Sequence, residues 1–515
     1  MSLEDSTRVT RGGFVRVAVT AFVTATVVYC YDTALWTSRV RAVTPETRVR
    51  EKCHLLVAPG VTPMPRATAA LAAPARVAFR GAHRDRRAAS TRVSSTSASV
   101  TADVESLAAW VTDQGGDVSA TRVDVGDRGR GLFASRDVEA GEVVLRVPIG
   151  SALNDGRADP PYPGAPWSVV LAAELLRERA KGDDARLSRY VRSLPSETIG
   201  FANSTLASRE GAADLLADDA AFDELERYDF LLRGSAATVQ KHHAFDDWRW
   251  AMSLAHSRTF RVEEPAPSGD EKETLGATRR LMVPYVDLLN HDSRETEVQC
   301  EWSCVWDLGG GGGDFVVKAT RDVRKGEELV TSYGERDDRH FFLFFGFLPE
   351  PNPHNGVALF RGLEEAAAWY EALCGDGEEA KEAWASARRE AVATVRAETE
   401  RLGADRPDER ERERETGWTS ADAEAEEAAA LRAGADAAVD ERLLRLFEIL
   451  SGDPDVAVAA VRVRAQRLLE DMRDAEARVD AGFAAAAALA EAEALALESA
   501  AGYRRRRRVL LEEIA

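Results

Sequence analysis

The hydrophobic period of the chain changes twice, and this restricts the fold more than any other feature. Between Val123 and Pro148, hydrophobic pairs alternate with polar turns (VDVGDRGRGLFASRDVEAGEVVLRVP), the pattern of a hairpin-like β-unit. From Trp167 to about Phe260 the spacing is helical, with Val169, Leu171, Leu175 and Leu176 on one face and Glu174, Arg177, Glu178 and Arg179 on the other. LMVPYVDLLNHD (281–292) and DFVVKATRDVRKGEELVTSYG (314–334) then return to strand-like runs. A helical block thus interrupts a β-rich scaffold, which places the chain in the α+β class.

Local punctuation supports this division. Ser106 to Gln114 reads as a short helix closed by Gly115-Gly116. Gly141 with Glu142 marks a turn, and VRKGEEL repeats the VEAGEVV pattern of 138–144. Gly309 to Gly313 reads as a surface loop; no Lys-Ser/Thr follows to make it a phosphate cradle. Beyond Pro353 the composition turns to Ala, Glu and Arg, and helix is expected throughout, with amphipathic spacing at Leu443, Leu444, Leu446, Phe447 and Leu450. Residues 397–417 form a charged run, read as a solvated helix or linker, and the chain ends with five arginines before an apolar turn.

With 515 residues the chain is long enough for two or more domains. The expected division is 1–100, 101–355 with the helical insertion at about 165–260, and 356–515. Its net charge of −20 disfavours a surface built to grip nucleic acid. The charge is uneven: residues 1–100 hold fifteen basic and six acidic residues, leaving 52 basic and 81 acidic for the rest. From Met64 the text is rich in Arg, Ala and Ser with Asp85 as its only acid, the composition of an organelle transit peptide. This predicts initiation at Met64, removal of the leader and a plastid destination (chloroplast stroma); the alternative is a disordered basic arm on a cytoplasmic or nuclear protein. Val17 to Tyr31 is uncharged but shorter than the ~20 apolar residues of a bilayer span, so no membrane anchor is expected. Cys30, Cys53, Cys300, Cys304 and Cys374 are too few and odd in number for a disulfide scaffold, and Cys300 with Cys304 lacks the second ligand pair of a zinc site; no metal is expected.

No G-x-S-x-G, Walker loop or paired acids at a recognisable spacing appear. Four segments stand out instead: Arg128-Gly129-Arg130-Gly131-Leu132, Ser257-Arg258-Thr259-Phe260, Asp287-Leu288-Leu289-Asn290-His291, and Ser332-Tyr333-Gly334 with Phe345-Gly346-Phe347. In this order, with YVRSLP and W-x-W-A between them, the sequence resembles the SET-domain methyltransferases, specifically the subfamily of the plant Rubisco large-subunit lysine methyltransferase, over roughly 101–355. The resemblance implies a pseudoknotted SET core and, in 356–515, a helical domain that docks a protein substrate. It also implies S-adenosylmethionine as methyl donor and protein-lysine N-methylation as the reaction.

Methyl transfer from a sulfonium needs no metal, only a deprotonated nucleophile in line with the methyl group and a site that accommodates dispersing positive charge. Gly129 and Gly131 allow close approach of backbone to a cofactor, although an ordinary tight hairpin would use the same glycines. The resemblance assigns cofactor contacts to Arg128, Gly129, Arg130, Arg258, Asn290, His291, Phe345, Gly346 and Phe347. It assigns the acceptor side to Asp287, Tyr333 and Phe345, and leaves Asp287 free to hold the knot together instead. Tyr333 is the catalytic candidate: with an ordinary pKa near 10 its hydroxyl suits electrostatic positioning better than proton abstraction. Two departures bear on the substrate. Phe345 stands where the subfamily often has Tyr, and Val262 stands where it has a second, substrate-contacting arginine. Histidine methylation and a catalytically silent binding module are the rival readings.

Overall fold

The computed structural model describes residues 103–156, 165–195, 206, 211–239, 243–264, 277–307, 312–374, 381–401, 430–435, 438–483 and 491–515. The transit-peptide and Met64 expectations lie outside them. All described residues belong to one compact unit.

Helix α1 (103–113) starts slightly before the expected position and ends at the Gly115-Gly116 stop, where Gly115 has φ +91°. Strands β1 (Thr121–Gly126) and β2 (Gly129–Ala134) form an antiparallel hairpin in which Gly126 pairs with Gly129. The two-residue turn Asp127-Arg128 between them is closed by Gly129 at φ +87°, a conformation that costs glycine nothing. Strand β3 (Val143–Pro148) lies beside β9 (Gly312–Ala319), which pairs with β8 (Cys300–Asp307). Strand β10 (Glu328–Thr331) joins β2 to β8, so the sheet runs β1-β2-β10-β8-β9-β3. Of the five glycines expected in a loop, Gly312 and Gly313 are already strand; the other three fall outside the described residues. A second sheet has the order β4 (Leu153–Asn154), β6 (Ala277–Met282), β5 (Thr259–Glu264).

The run 281–292 is not one strand. Tyr285 takes φ +72°, an unusual conformation for a bulky residue, and its buried hydroxyl lies 3.2 Å from Thr121 Oγ1. This reversal ends β6 after Met282. A 3₁₀ turn at Val286–Leu288 then delivers the two-residue strand β7 (Asn290–His291) parallel to β10, with Asn290 opposite Val330 and His291 opposite Thr331.

The inserted block contains α2 (Trp167–Ala180), α3 (Ser188–Ser193), α4 (Ala212–Leu216), α5 (Asp219–Val239) and α6 (Phe245–Ser257). Its Tyr190 and Trp248 are completely buried in the same apolar core as Leu132, Leu145 and Phe315 of the sheet. Short α7 (Asp338–His340) continues into a π-helical turn, Phe341–Phe345, ended by Gly346 at φ +77°.

The C-terminal region departs from the expected all-α state. Strands β11 (Gly356–Phe360) and β12 (Leu431–Gly434) pair antiparallel within it. Around them lie α8 (Leu363–Cys374), α9 (Lys381–Arg401), α10 (Glu441–Ser451), α11 (Pro454–Phe483) and α12 (Glu491–Ile514). Four- and five-residue strands leave little alternation to read, and their partners are remote in sequence. Phe360, Leu443, Phe447 and Val461 centre a second core. Helix α12 serves both: Ala496, Leu497, Ala500 and Tyr503 enter the first core, Leu510, Leu511 and Ile514 the second.

Candidate active site

The chain brings its expected site residues together at the β7–β10 crossing. Tyr333, just beyond β10, donates from its hydroxyl to the Leu289 carbonyl at 2.7 Å, and its backbone N–H donates to His291 Nδ1 at 3.0 Å. Its ring stacks on His291 (centroids 5.0 Å apart) and on Phe345 (5.3 Å). His291 Nε2 lies 2.7 Å from Ser293 Oγ, and Phe341 stacks on the imidazole at 4.7 Å. Burial pushes the Tyr333 phenol up to about 12, so it stays protonated at neutral pH. Gly346 ends the π-turn, while Phe347 is 39% exposed and reaches His291 at 6.2 Å.

Behind Tyr333 lies a buried charged knot. Arg258, at the end of α6, donates to the Asp287 carbonyl at 2.8 Å and pairs with its carboxylate at 3.4 Å. Tyr190 donates to the same carboxylate at 2.8 Å. Burial pushes the Asp287 carboxyl up, against the pull of Arg258. Asp287 therefore ties α3, α6 and the 3₁₀ turn together, and it also borders a cavity beside Tyr333. Arg130 donates to the Ser193 carbonyl at 2.9 Å, fastening β2 to α3.

On the other side of β7, Asn290 Nδ2 donates to the Arg130 carbonyl (3.3 Å) and to Glu328 (2.8 Å). A Cβ on Gly131 would lie 2.5 Å from that amide nitrogen and 2.8 Å from the Glu328 carboxylate, so only glycine permits this approach. Arg128 pairs with Glu328 at 3.0 Å and with Asp292, which also holds Arg294. Despite partial burial, the hydrogen bonds from Arg294 and Arg128 bring Asp292 down to about 2. Glu328 was missed in the sequence because it lies in a charged turn that reads as punctuation.

Trp167, His256, Arg258, Phe260, Arg261, Arg280, Asp287, Trp302, Tyr333, Arg336 and Phe345 border a cavity of about 380 Å³. Phe260 and Trp302 meet edge to face at 5.5 Å, and Arg336 donates to the Tyr333 carbonyl at 2.9 Å while its guanidinium lies 2.9 Å from His340 Nε2. Sequence reasoning found Arg258, Asp287, Tyr333 and Phe345 but missed Arg261, Arg280, Arg336, His256 and Trp302, which come from five separate elements or loops. Among the described residues no group of His, Cys, Asp and Glu is arranged to hold a metal ion, and no helix is long and apolar enough to cross a membrane.

Residues 129–334 match the family model of the SET domain, and the chain carries a SET domain. Over 275 residues, 47% of this chain and 42% of the relative, it is 26% identical to the actin-histidine N-methyltransferase of Danio rerio. Over 297 residues, 51% and 46% respectively, it is 27% identical to the enzyme of the same description from Canis lupus familiaris. The chain thus spans less than half the length of these curated relatives. A crystal structure of the SET domain of LSMT bound to lysine and AdoHcy is similar at 15% identity with a TM-score of 0.49, covering 81% of this chain and 92% of that one. Rubisco LSMT bound to AdoMet gives 0.47, with 80% and 90% covered.

Proposed function

We propose that the chain is a protein N-methyltransferase that uses S-adenosylmethionine and transfers its methyl group to a lysine side chain. The observation that carries this reading is Tyr333: its hydroxyl is held by the Leu289 carbonyl at the wall of an aromatic cavity, within the span that matches the SET domain. The donor set fits the implied cofactor, with the Asn290 amide and the backbone around Gly131 on one side of β7, His291 on the other, and the Arg258 guanidinium behind Tyr333. When bound, the cofactor supplies an electrophilic methyl group on a sulfonium.

The chain's own residues orient and discharge the acceptor. Phe260, Trp302 and Phe345 give methylene groups an apolar lining. Arg258, Arg261, Arg280 and Arg336 disfavour an ammonium there and favour the neutral amine, the form that can attack a methyl group. Tyr333, its pKa raised, holds the nucleophile rather than deprotonating it, and the proton leaves to water.

The curated relatives favour a second reading, a histidine acceptor. An imidazole arrives neutral at pH 7 and would need no discharge. The test is transfer of labelled methyl from S-adenosylmethionine by the full chain into a plastid protein extract, with the modified residue located by mass spectrometry. Methyl-lysine supports the primary reading, methyl-histidine replaces it, and no transfer by a folded preparation favours the silent binding module. The plastid location, leader removal and substrate docking by the C-terminal helices belong to the same proposal. Import assays with the first 100 residues and binding assays on the full chain test them.

A further inference from the structure

The side-chain amide of Asn290 has only one workable orientation. Its two polar neighbours, the Arg130 carbonyl at 3.3 Å and a Glu328 carboxylate oxygen at 2.8 Å, both accept hydrogen bonds, so the nitrogen faces them and both of its N–H groups are used. Turned over, the amide would set its own oxygen against a carbonyl and a carboxylate. Of the two bonds, the one to Glu328 is shorter and charge-assisted, so it carries most of the preference. The oxygen, on the other arm of the planar amide, accepts nothing from the described residues, and Asn290 is only half-buried.

Glu328 is itself held in place. Its side chain is 11% exposed; one carboxylate oxygen meets the Asn290 amide and the other accepts from Arg128 at 3.0 Å. Gly131 closes the space on the third side, since a Cβ there would come within 2.8 Å of the first oxygen and 2.5 Å of the amide nitrogen. We propose that Glu328 is a positioning residue: by holding the Asn290 nitrogen it turns the amide oxygen outward, as an acceptor for an N–H group of the cofactor. This rests on the methyltransferase reading above and goes beyond it, giving a role to a residue that acts through Asn290 alone.

Calorimetric titration of the full chain with S-adenosylhomocysteine tests this in Glu328→Gln and Glu328→Met. The two replacements are similar in size and both remove the charge, but only Gln keeps an acceptor for the Asn290 amide. Glu328→Gln should bind within about threefold of wild type, whereas Glu328→Met should lose about five- to thirtyfold. In an Asn290→Ala background the two should agree within about twofold, because no amide is left to orient. Glu328→Ala takes the place of the Met variant if that variant does not fold. Equal losses in Gln and Met overturn the inference and leave Glu328 as a charge acting on the cofactor or through its Arg128 pair. So does a difference between Gln and Met that persists without Asn290. A folded wild type that does not bind S-adenosylhomocysteine sinks the methyltransferase reading and this inference with it, whereas wild-type binding with equal losses in the variants sinks the inference alone.

Discussion

Asn290 ties β7 to β2 and β10, since its amide bonds both the Arg130 carbonyl and Glu328. Asn290→Ala strips that polar group, at a cost of about 1–3 kcal/mol, or roughly 5- to 150-fold in cofactor affinity. Calorimetric titration with S-adenosylhomocysteine reads this directly, and unchanged affinity in a folded variant would remove Asn290 from the site. The histidines make a separate prediction about acid. Burial, helped by Arg280, lowers His256 to about 3, and burial lowers His291 to about 4 and His340 well below its ordinary value. The unfolded chain takes up these protons near pH 6.5 and the folded chain does not, so stability is full above that pH and falls as pH drops towards 4. His256 and His291 each contribute about 1.4 kcal/mol per pH unit over that window, or about 2 kcal/mol at pH 5, and His340 acts in the same direction. Replacing His256 with Gln should narrow the gap between melting temperatures at pH 7.5 and pH 5.0; an unchanged gap would contradict its buried neutral state.

Among the elements, α12 holds the molecule together most visibly. Tyr503 stacks on Phe342 at 5.3 Å and donates to Asp218 at 2.6 Å, and Arg507 pairs with the same carboxylate at 2.9 Å. Burial opposes the charge on Asp218, but Arg507 and Tyr503 outweigh it and hold the carboxyl below its usual range. Arg507→Met leaves that charge uncompensated in the interior and should cost about 3–5 kcal/mol, read by thermal unfolding. Adding Asp218→Asn should recover part of the loss; a further loss of equal size would mean the two groups act independently. In the sequence the arginine run 504–508 was only five cations before an apolar turn, with no partner to read, yet Arg504 and Arg506 donate to backbone carbonyls of Leu215 and Pro349. The strands of 121–148 and 312–331 were legible because alternation and turn residues are local signals. The left-handed Tyr285 and the β11–β12 pair were not, since distant partners decide them.

At the scale of the whole molecule, two apolar cores share α12, and the cavity beside Tyr333 draws its walls from both the sheet strands and the inserted helices. Motif order exposed the residues clustered around β7 and β10. It could not expose Glu328 beside the Asn290 amide, because cross-strand register is written in the fold and not in either strand alone. The central claim, that Tyr333 orients the acceptor for methyl transfer, is tested most directly by the single-turnover rate of Tyr333→Phe with the full chain, labelled S-adenosylmethionine and an accepted substrate. The ring remains to stack on His291 and Phe345, so S-adenosylhomocysteine affinity should hold within about threefold, while the rate falls by about 10²–10³, the scale of one lost preorganised donor. A variant that transfers methyl within about threefold of the wild-type rate would contradict the account and leave the Tyr333 hydroxyl as a structural tie to Leu289.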